Sequence, residues 1–585
     1  MENNLNNQKP VEFFSAERIK IEIDGQQILW RDMNLEIDSR IGEHTIGKIK
    51  YMASPNQLSL YDALIDKKGD KTIVVTGRSN ISDEAGNATD KIFLNGVISK
   101  LRIKETKAGA LAVELLCSSK SILLDRIPRY CSFQDPTLTY TDIAQEVNKN
   151  YNDGETLVNV GEDMQAGPRM TIQYNETDWE YLKRIASYTG QPLMANSNKV
   201  LVGFFKNMPS QTPNLTYSYF GKETEEERTY YRVEGTEVYS VSTPIKLKIR
   251  NRVSGEEVEN DYYVIESRIY NEGNTLKCEY KLGKQTDYFV DPIPHEKIRG
   301  AVIEARTIHI ARTDESKSEH GRTDGSSDNL EGRTIGAKPL NKYIEKAENQ
   351  SQNENIKEKV KTKDIAVMTL DLTEGLMDLG ENGQSFEDKY AGKSYFPYVT
   401  PYSQSNTGFT PAPEVNDRVA LYFPNGNETK AFVIGALNND GNGRFTNPDK
   451  RNFTLGNSQS GANAGKPMYD FTLNSEVFSI SVGSVIDMSS GGSVDISGTS
   501  KVNIDSSGTM DISGTSTVNL KSSGADTNIE GNSEVNMKVS SSKISIDSSS
   551  IGINASDEFT ADADGITIGA GASTVDIKGG EVKIK

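Results

Sequence analysis

Val494-Asp-Ile-Ser-Gly-Thr-Ser-Lys501, Val502-Asn-Ile-Asp-Ser-Ser-Gly-Thr509, Met510-Asp-Ile-Ser-Gly-Thr-Ser-Thr517 and Val518-Asn-Leu-Lys-Ser-Ser-Gly-Ala525 are consecutive octads built to one plan. Each is apolar-x-apolar followed by a small polar corner that holds a glycine. The i, i+2 spacing puts both apolar side chains on one face of a short extended segment. Ser, Asn, Asp and Gly are the residues that turn a chain most readily. The beat continues through Val535, Ile544, Ile551, Phe559, Ile566, Val575 and Val582, with second members Ile529, Met537, Ile546, Ile553, Ile568, Ile577 and Ile584; Thr527 and Ala561 are its weak positions. Two apolar side chains per octad return less free energy than ordering eight backbones costs. Such a ribbon needs copies of itself to close over its stripe. The expectation is a threefold rod, a triangular β-helix or β-prism, with Val494, Ile496, Val502, Ile504, Met510, Ile512, Val518 and Leu520 in its core. Corners alternate between SGT and SSG, which pairs the octads into a sixteen-residue unit. The repeat alone leaves open a single-chain solenoid with three octads per rung. Strands stacked at about 4.8 Å would give a shaft on the order of 50–60 Å.

The chain has 585 residues, room for several domains, and a formal charge of −18 from 83 acidic and 65 basic residues. That balance disfavours nucleic-acid binding. Cys117, Cys131 and Cys278 are odd in number and far apart. They form no disulfide framework and no CxxC metal pair, which fits synthesis in a reducing cytoplasm. The first residues, Met1-Glu-Asn-Asn-Leu-Asn-Asn-Gln, lack the basic and apolar regions of a signal peptide. No run of apolar residues is long enough to span a bilayer, so stable membrane insertion is not expected.

The remainder reads as mainly β. Short alternating strands at Arg18–Ile23, Lys71–Thr76, Ile92–Val97 and Leu111–Leu116 predict an antiparallel sheet or barrel. A helix is expected over 137–152, starting near Thr141 and Asp142, with Ile143, Val147 and Tyr151 on one face. A second starts at Thr177, where Thr177 and Glu180 fit a capping box; Trp179, Leu182, Ile185 and Ala186 share its buried face and Gly190 ends it. Strands resume at Val200–Phe205, Thr236–Val241, Ile245–Ile249, Tyr262–Ile269 and Leu276–Tyr280, which predicts a second barrel. A solvated helix is expected over Asn341–Lys359. Strands follow at Ile365–Leu370, Arg418–Phe423 and Thr429–Ile434, and 441–469 is a Gly/Asn/Ser connector.

Two stretches carry a family resemblance. Gln173-Tyr-Asn-Glu-Thr-Asp-Trp-Glu-Tyr-Leu-Lys-Arg-Ile185 resembles the QYxESDxxFLxRL helix of VgrG proteins, the spikes of type VI secretion systems. Phe396-Pro-Tyr-Val-Thr-Pro-Tyr-Ser, Pro413-Glu-Val-Asn-Asp-Arg-Val-Ala-Leu-Tyr-Phe423 and Phe432-Val-Ile-Gly-Ala-Leu-Asn438 are similar to that family's OB-fold stretch. The order of these motifs and the octads matches that family and related phage tail hubs and spikes. The resemblance implies hub β-barrel 1 at 1–135, a helix-containing hub segment at 136–205, hub β-barrel 2 with a charged linker at 206–362, an OB-fold at 363–445, a connector at 446–470 and a β-helix spike at 471–585. It also implies a homotrimer whose hub docks on a hexameric Hcp-type inner tube protein and on baseplate proteins. A contractile sheath would drive the spike, with its secreted effectors, out of the cytoplasm without a signal peptide. Asn416-Asp417 stands where the family often has glycine, and Thr177 and Trp179 replace Ser and Phe, which marks a divergent branch. No histidine follows His320, so a self-made metal tip is not expected. A separate PAAR-type tip protein would bind the apolar end formed by Val575, Ile577, Val582 and Ile584. The octads run to Lys585, so no effector domain is expected after the rod.

No catalytic, cofactor-binding or metal site is expected. There is no HExxH, no GxSxG and no phosphate-binding glycine loop, since Gly461-Ala-Asn-Ala-Gly-Lys466 lacks the spacing and runs into Pro467. His309 and His320 with Asp314 and Glu319 read as solvated loop residues. The rival readings are a phage or phage-derived tail spike, a solenoid adhesin and a wall-degrading enzyme.

Overall fold

Alternating burial along each strand builds the first sheet. In this computed structural model the strand Phe14–Ile23 buries Phe14, Ala16, Ile19, Ile21 and Ile23. A bulge between Phe14 and Ile19 lets Glu17 and Arg18 face outward in succession. The structure describes residues 12–312, 334–335, 338–339, 366–437, 451–456, 467–538 and parts of 553–567, less breaks at 83–87, 107–108, 136–137, 152–157, 161–169, 197–198, 204–211, 251–254, 380–385 and 474–476 and some one- and two-residue gaps.

Strands Phe14–Ile23, Thr72–Ser82, Ala88–Glu105, Leu111–Ser119, Ile46–Ala53 and Trp30–Arg40 pair antiparallel in that spatial order. The hairpin of Glu257–Glu272 and Thr275–Gly283 closes the ring: Glu266–Tyr270 pair with Arg40–Glu36, and Thr275 with Ser15. The base of the same hairpin joins other strands. Glu257–Tyr263 pair with Pro244–Arg250, and Cys278–Leu282 with Tyr231–Gly235, whose outer neighbour is Tyr219–Glu225. One core therefore runs from Ile21, Ile37 and Leu115 to Leu247, Val264 and Leu282. Helix α1 (Leu58–Asp66) adds Tyr61, whose hydroxyl meets that of Tyr51 at 2.9 Å inside this core.

A smaller unit holds helices α2 (Tyr140–Asn148) and α3 (Asp178–Ser187), with Ile143, Val147, Leu182, Ile185, Val200 and Val202 between them and their short strands. The α3 capping box of Thr177 and Glu180 is present as read. Helix α2 starts a residue earlier than expected, because Thr139 and Asp142 form a second capping box. A third core lies under a sheet in which Val302–Arg312 sits between Ala366–Asp371 and Arg418–Tyr422, with Phe432–Ala436 beyond.

Several expectations are corrected. Thr236–Val241 is not a strand: the buried Tyr280 hydroxyl takes the Tyr239 N–H (3.0 Å) and donates to Glu237 O, so this backbone is satisfied by a side chain. The strand predicted at Val200–Phe205 is described only as Val200–Val202, with Gly203 at φ +78° after it. Asn427 caps a turn at Glu428–Lys430, which delays the next strand to Phe432. The expected connector contains Arg451–Gly456 and Pro467–Leu473, which join Phe478–Val482 in a three-stranded sheet. Helices α1 and Thr373–Leu379 were not anticipated. The helix expected over Asn341–Lys359 lies outside the described residues.

Asn416 explains itself. Its φ is +72°, in the region glycine favours and asparagine tolerates. That twist lets Asn416 N–H reach Thr307 O at 2.7 Å and Asp417 O accept from Thr307 N–H at 2.9 Å. Asn416→Gly should leave stability within about 0.5 kcal/mol, whereas Asn416→Val should cost about 1–3 kcal/mol through backbone strain. Urea unfolding of both variants checks this.

Candidate functional site

The octads turn on the beat read from their sequence. Among the described residues of 485–538 the chain bends at 499–500, 507–508, 515–516, 523–524 and 532–533. Two kinds of corner alternate. A Cβ added to Gly498, Gly514 or Gly531 would lie 2.8, 3.0 or 2.7 Å from the carbonyl oxygen three residues on, while Gly508 and Gly524 have open space. Glycine is thus required at alternate corners, as a sixteen-residue unit demands.

Between corners the apolar pairs are unpartnered. The first members Val494, Val502, Met510 and Val518 are 48–54% exposed, and the second members Ile496, Ile504, Ile512 and Leu520 are 64–70% exposed. No strand pairing occurs among the described residues of 485–538, so the rungs of a single-chain solenoid are not formed there. The result is a periodic stripe of half-open apolar side chains, whose full burial is worth about 1–2 kcal/mol per side chain. Val575, Ile577, Val582 and Ile584 lie outside the described residues.

The motif helix proves to be a structural lock rather than a reactive site. Arg184 of α3 is fully buried. Its Nε and Nη2 donate to Glu176 at 2.8 Å each, Nη1 donates to Glu428 Oε1 at 2.6 Å and Nη2 also to Ile172 O at 2.8 Å. Burial works against the guanidinium charge, but Glu428 and Glu176 overcome it and push its pKa well above the ordinary value. Burial would likewise raise the Glu428 carboxyl, yet the Arg184 charge and the His295 hydrogen bond hold it down at about 2. Nearby, the buried Asp178 takes bonds from Gln173 Nε2 (2.8 Å) and the Tyr151 hydroxyl (2.5 Å) and pairs with Arg129 at 3.0 Å. The Gln, Glu, Asp and Arg of the motif are therefore internal hydrogen-bond partners.

One arrangement escaped sequence reading because its members lie far apart in the chain. His44 Nδ1 meets Ser121 Oγ at 2.7 Å and its Nε2 meets Asp125 Oδ2 at 3.2 Å, in the order of a catalytic triad. Ser121 is only 2% exposed, its hydroxyl also bonds Ser119, and the Trp179 ring lies 4.1 Å from the imidazole. A nucleophile must reach substrate; this chain of bonds ties the barrel to α3, since Asp125 also accepts from Thr177 at 2.5 Å. Of the histidine cluster, His309 lies within the strand Val302–Arg312, paired with Thr369, and not in the loop expected; His320, Asp314 and Glu319 lie outside the described residues. Among the described residues no group of three metal-ligating side chains assembles, and no helix is long and apolar enough to cross a membrane.

No family model matches the chain, and no curated protein matches it. Solved structures do align at low identity. An E. coli protein, c3393, described as a component of the type VI secretion system with structural similarity to the T4 tail proteins gp27 and gp5, aligns over 72% of this chain and 100% of its own, at 11% identity and a TM-score of 0.45. The lidded Francisella PdpA-VgrG complex aligns over 81% of this chain and 77% of its own, at 10% identity and a TM-score of 0.47. The 43 kDa tail protein of prophage MuSo2 from Shewanella oneidensis covers 47% of this chain and 99% of its own, at 12% identity and a TM-score of 0.35.

Proposed function

We propose that this chain is the spike of a contractile injection apparatus, acting mechanically as a homotrimer. The observation that carries this reading is the octad ribbon: corners on an eight-residue beat, glycine enforced at alternate corners, and both apolar columns open to solvent in one chain. Three ribbons closing on one another would bury both columns and leave no free strand edge. The outer skin would then be the Asp, Asn, Lys, Ser and Thr between them, a surface that does not enter lipid by itself. Penetration needs external force and a stiff shaft, which a closed prism supplies. The β-barrel region would form the hub on a hexameric Hcp-type tube and the baseplate, the OB-fold the collar, and the far end the seat of a PAAR-type tip and its effectors. Assembly would take place in the cytoplasm, followed by ejection.

Light scattering on the purified chain tests the central claim. The expected mass is about 193 kDa, three times the 64.4 kDa chain; a folded monomer overturns it. Deleting 575–585 should leave the trimer intact while abolishing tip-protein capture in a pull-down. Retained capture removes Val575, Ile577, Val582 and Ile584 from the interface.

A further inference from the structure

A cavity of about 580 Å³ opens between the two-helix unit and the loops at 292–299 and 425–430. That volume lies within the range of small-molecule sites. One wall is apolar: Tyr140 at the start of α2, Tyr188 just after α3, Met170 and Ile293. The two tyrosine rings stand 6.3 Å apart, tilted by 54°. The opposite side carries two residues of one turn, Glu428 and Lys430.

Glu428 is only 3% exposed, yet it lines the cavity. Its Oε1 accepts from Arg184 at 2.6 Å and faces His295 Nδ1 at 3.2 Å. Its Oε2 holds the looser bond, from the Tyr188 hydroxyl at 3.4 Å, well beyond the ordinary O–H···O distance. An ionised carboxylate accepts more bonds than these, so Oε2 keeps room for a strong donor. Lys430 is exposed and makes no ion pair among the described residues. Arg299, a second cation at the rim, is shared with Glu296 at 3.2 Å. The turn is held in shape before any ligand arrives. Asn427 Oδ1 accepts from Thr429 N–H at 3.1 Å, and His295 N–H donates to Gly426 O at 3.0 Å. A Cβ on Gly426 would lie 3.0 Å from the His295 backbone, so that approach needs glycine.

These features select a ligand. A lone cation would meet Lys430 and Arg299, and a lone anion would meet Glu428. A zwitterion satisfies both signs, and opposite charges two residues apart suit one whose charged groups share a carbon. The apolar wall then takes what that carbon bears. We propose that this cavity binds a free α-amino acid with a large apolar side chain, its ammonium on Glu428 Oε2, its carboxylate on Lys430 and its side chain against Tyr140, Met170, Tyr188 and Ile293. Charge-assisted bonds of this kind fix orientation, and the apolar contact supplies the rest of the affinity. The assignment goes beyond the injection reading and stands whether or not that reading holds.

Isothermal titration of the full chain with L-phenylalanine tests it. Saturable binding is expected with a Kd between about 1 μM and 1 mM. 3-Phenylpropionate, which lacks the ammonium, and phenylalaninamide, which lacks the carboxylate, should each bind at least about tenfold more weakly, the loss of one charge-assisted bond. Lys430→Gln should weaken L-phenylalanine by a similar factor and leave phenylalaninamide unchanged. No saturable binding of L-phenylalanine overturns the proposal. So does equal binding of the three compounds, or an L-phenylalanine affinity that Lys430→Gln leaves intact. If the variant does not fold, the three-compound comparison on the unaltered chain decides.

Discussion

For the proposed trimer, Ile504→Asp combined with Ile512→Asp should reduce the solution mass from about 193 kDa, three chains, to the 64.4 kDa of one chain. Both side chains belong to the more exposed apolar column of the isolated ribbon. In a threefold rod each position is met by two copies of itself, so the double substitution drives six carboxylates toward one axis. Burying unpaired ionised carboxylates costs several kcal/mol each, more than the few kcal/mol that a pair of buried isoleucines returns. The β-barrel region keeps its own core, so far-ultraviolet circular dichroism should remain that of a β protein. Asn503→Asp supplies the control. It adds charge between the apolar members, on the opposite face of the extended segment, and should leave the mass at three chains. A double variant that stays trimeric would show that these columns do not face the axis.

Arg184→Ala should cost about 3–5 kcal/mol in chemical unfolding, because it leaves Glu176 and Glu428 buried without their counter-charge. Arg184→Lys should recover little of it. A single ammonium cannot reproduce the paired bonds to Glu176 together with those to Glu428, Ile172 O and Tyr188. The same lock sets an acid limit. The Glu428 carboxyl is depressed to about 2, so its stabilisation is fully present above the unfolded carboxylate value of about 4.3 and is lost as pH falls toward 2. Its size is on the order of 3 kcal/mol. In Glu428→Gln the acid side of the stability–pH curve should flatten; an unchanged acid limb would place the sensitive group elsewhere.

The local elements were legible wherever a side-chain pattern and a backbone need coincide. The Thr177–Glu180 capping box marked α3 to the residue, because a cap is a contact between neighbours in sequence. The alternating strands at Arg18–Ile23 and Leu111–Leu116 declared themselves through one buried face. Thr236–Val241 misled for the converse reason: its alternation is genuine, but Tyr280 from a later strand takes the backbone bonds that a neighbour would have supplied. The motif Gln173–Ile185 was legible as a resemblance. What its polar residues do was not, because Glu428 reaches Arg184, and His295 reaches Glu176 and Glu428, from more than a hundred positions away.

By itself the sequence determined the eight-residue beat on which the described residues 494–538 turn and that the described residues before it are strand-rich, since both follow from which side chains avoid water and which residues turn. Only the tertiary structure decided that one hairpin, Glu257–Gly283, serves two sets of strands, that Asn416 adopts a positive φ, and that Arg184 is buried with Glu176 and Glu428 where a motif helix meets a distant loop. Those outcomes depend on which strands and loops become neighbours in space. Sequence spacing carries no record of that, because the contacts are bought by the whole core closing at once.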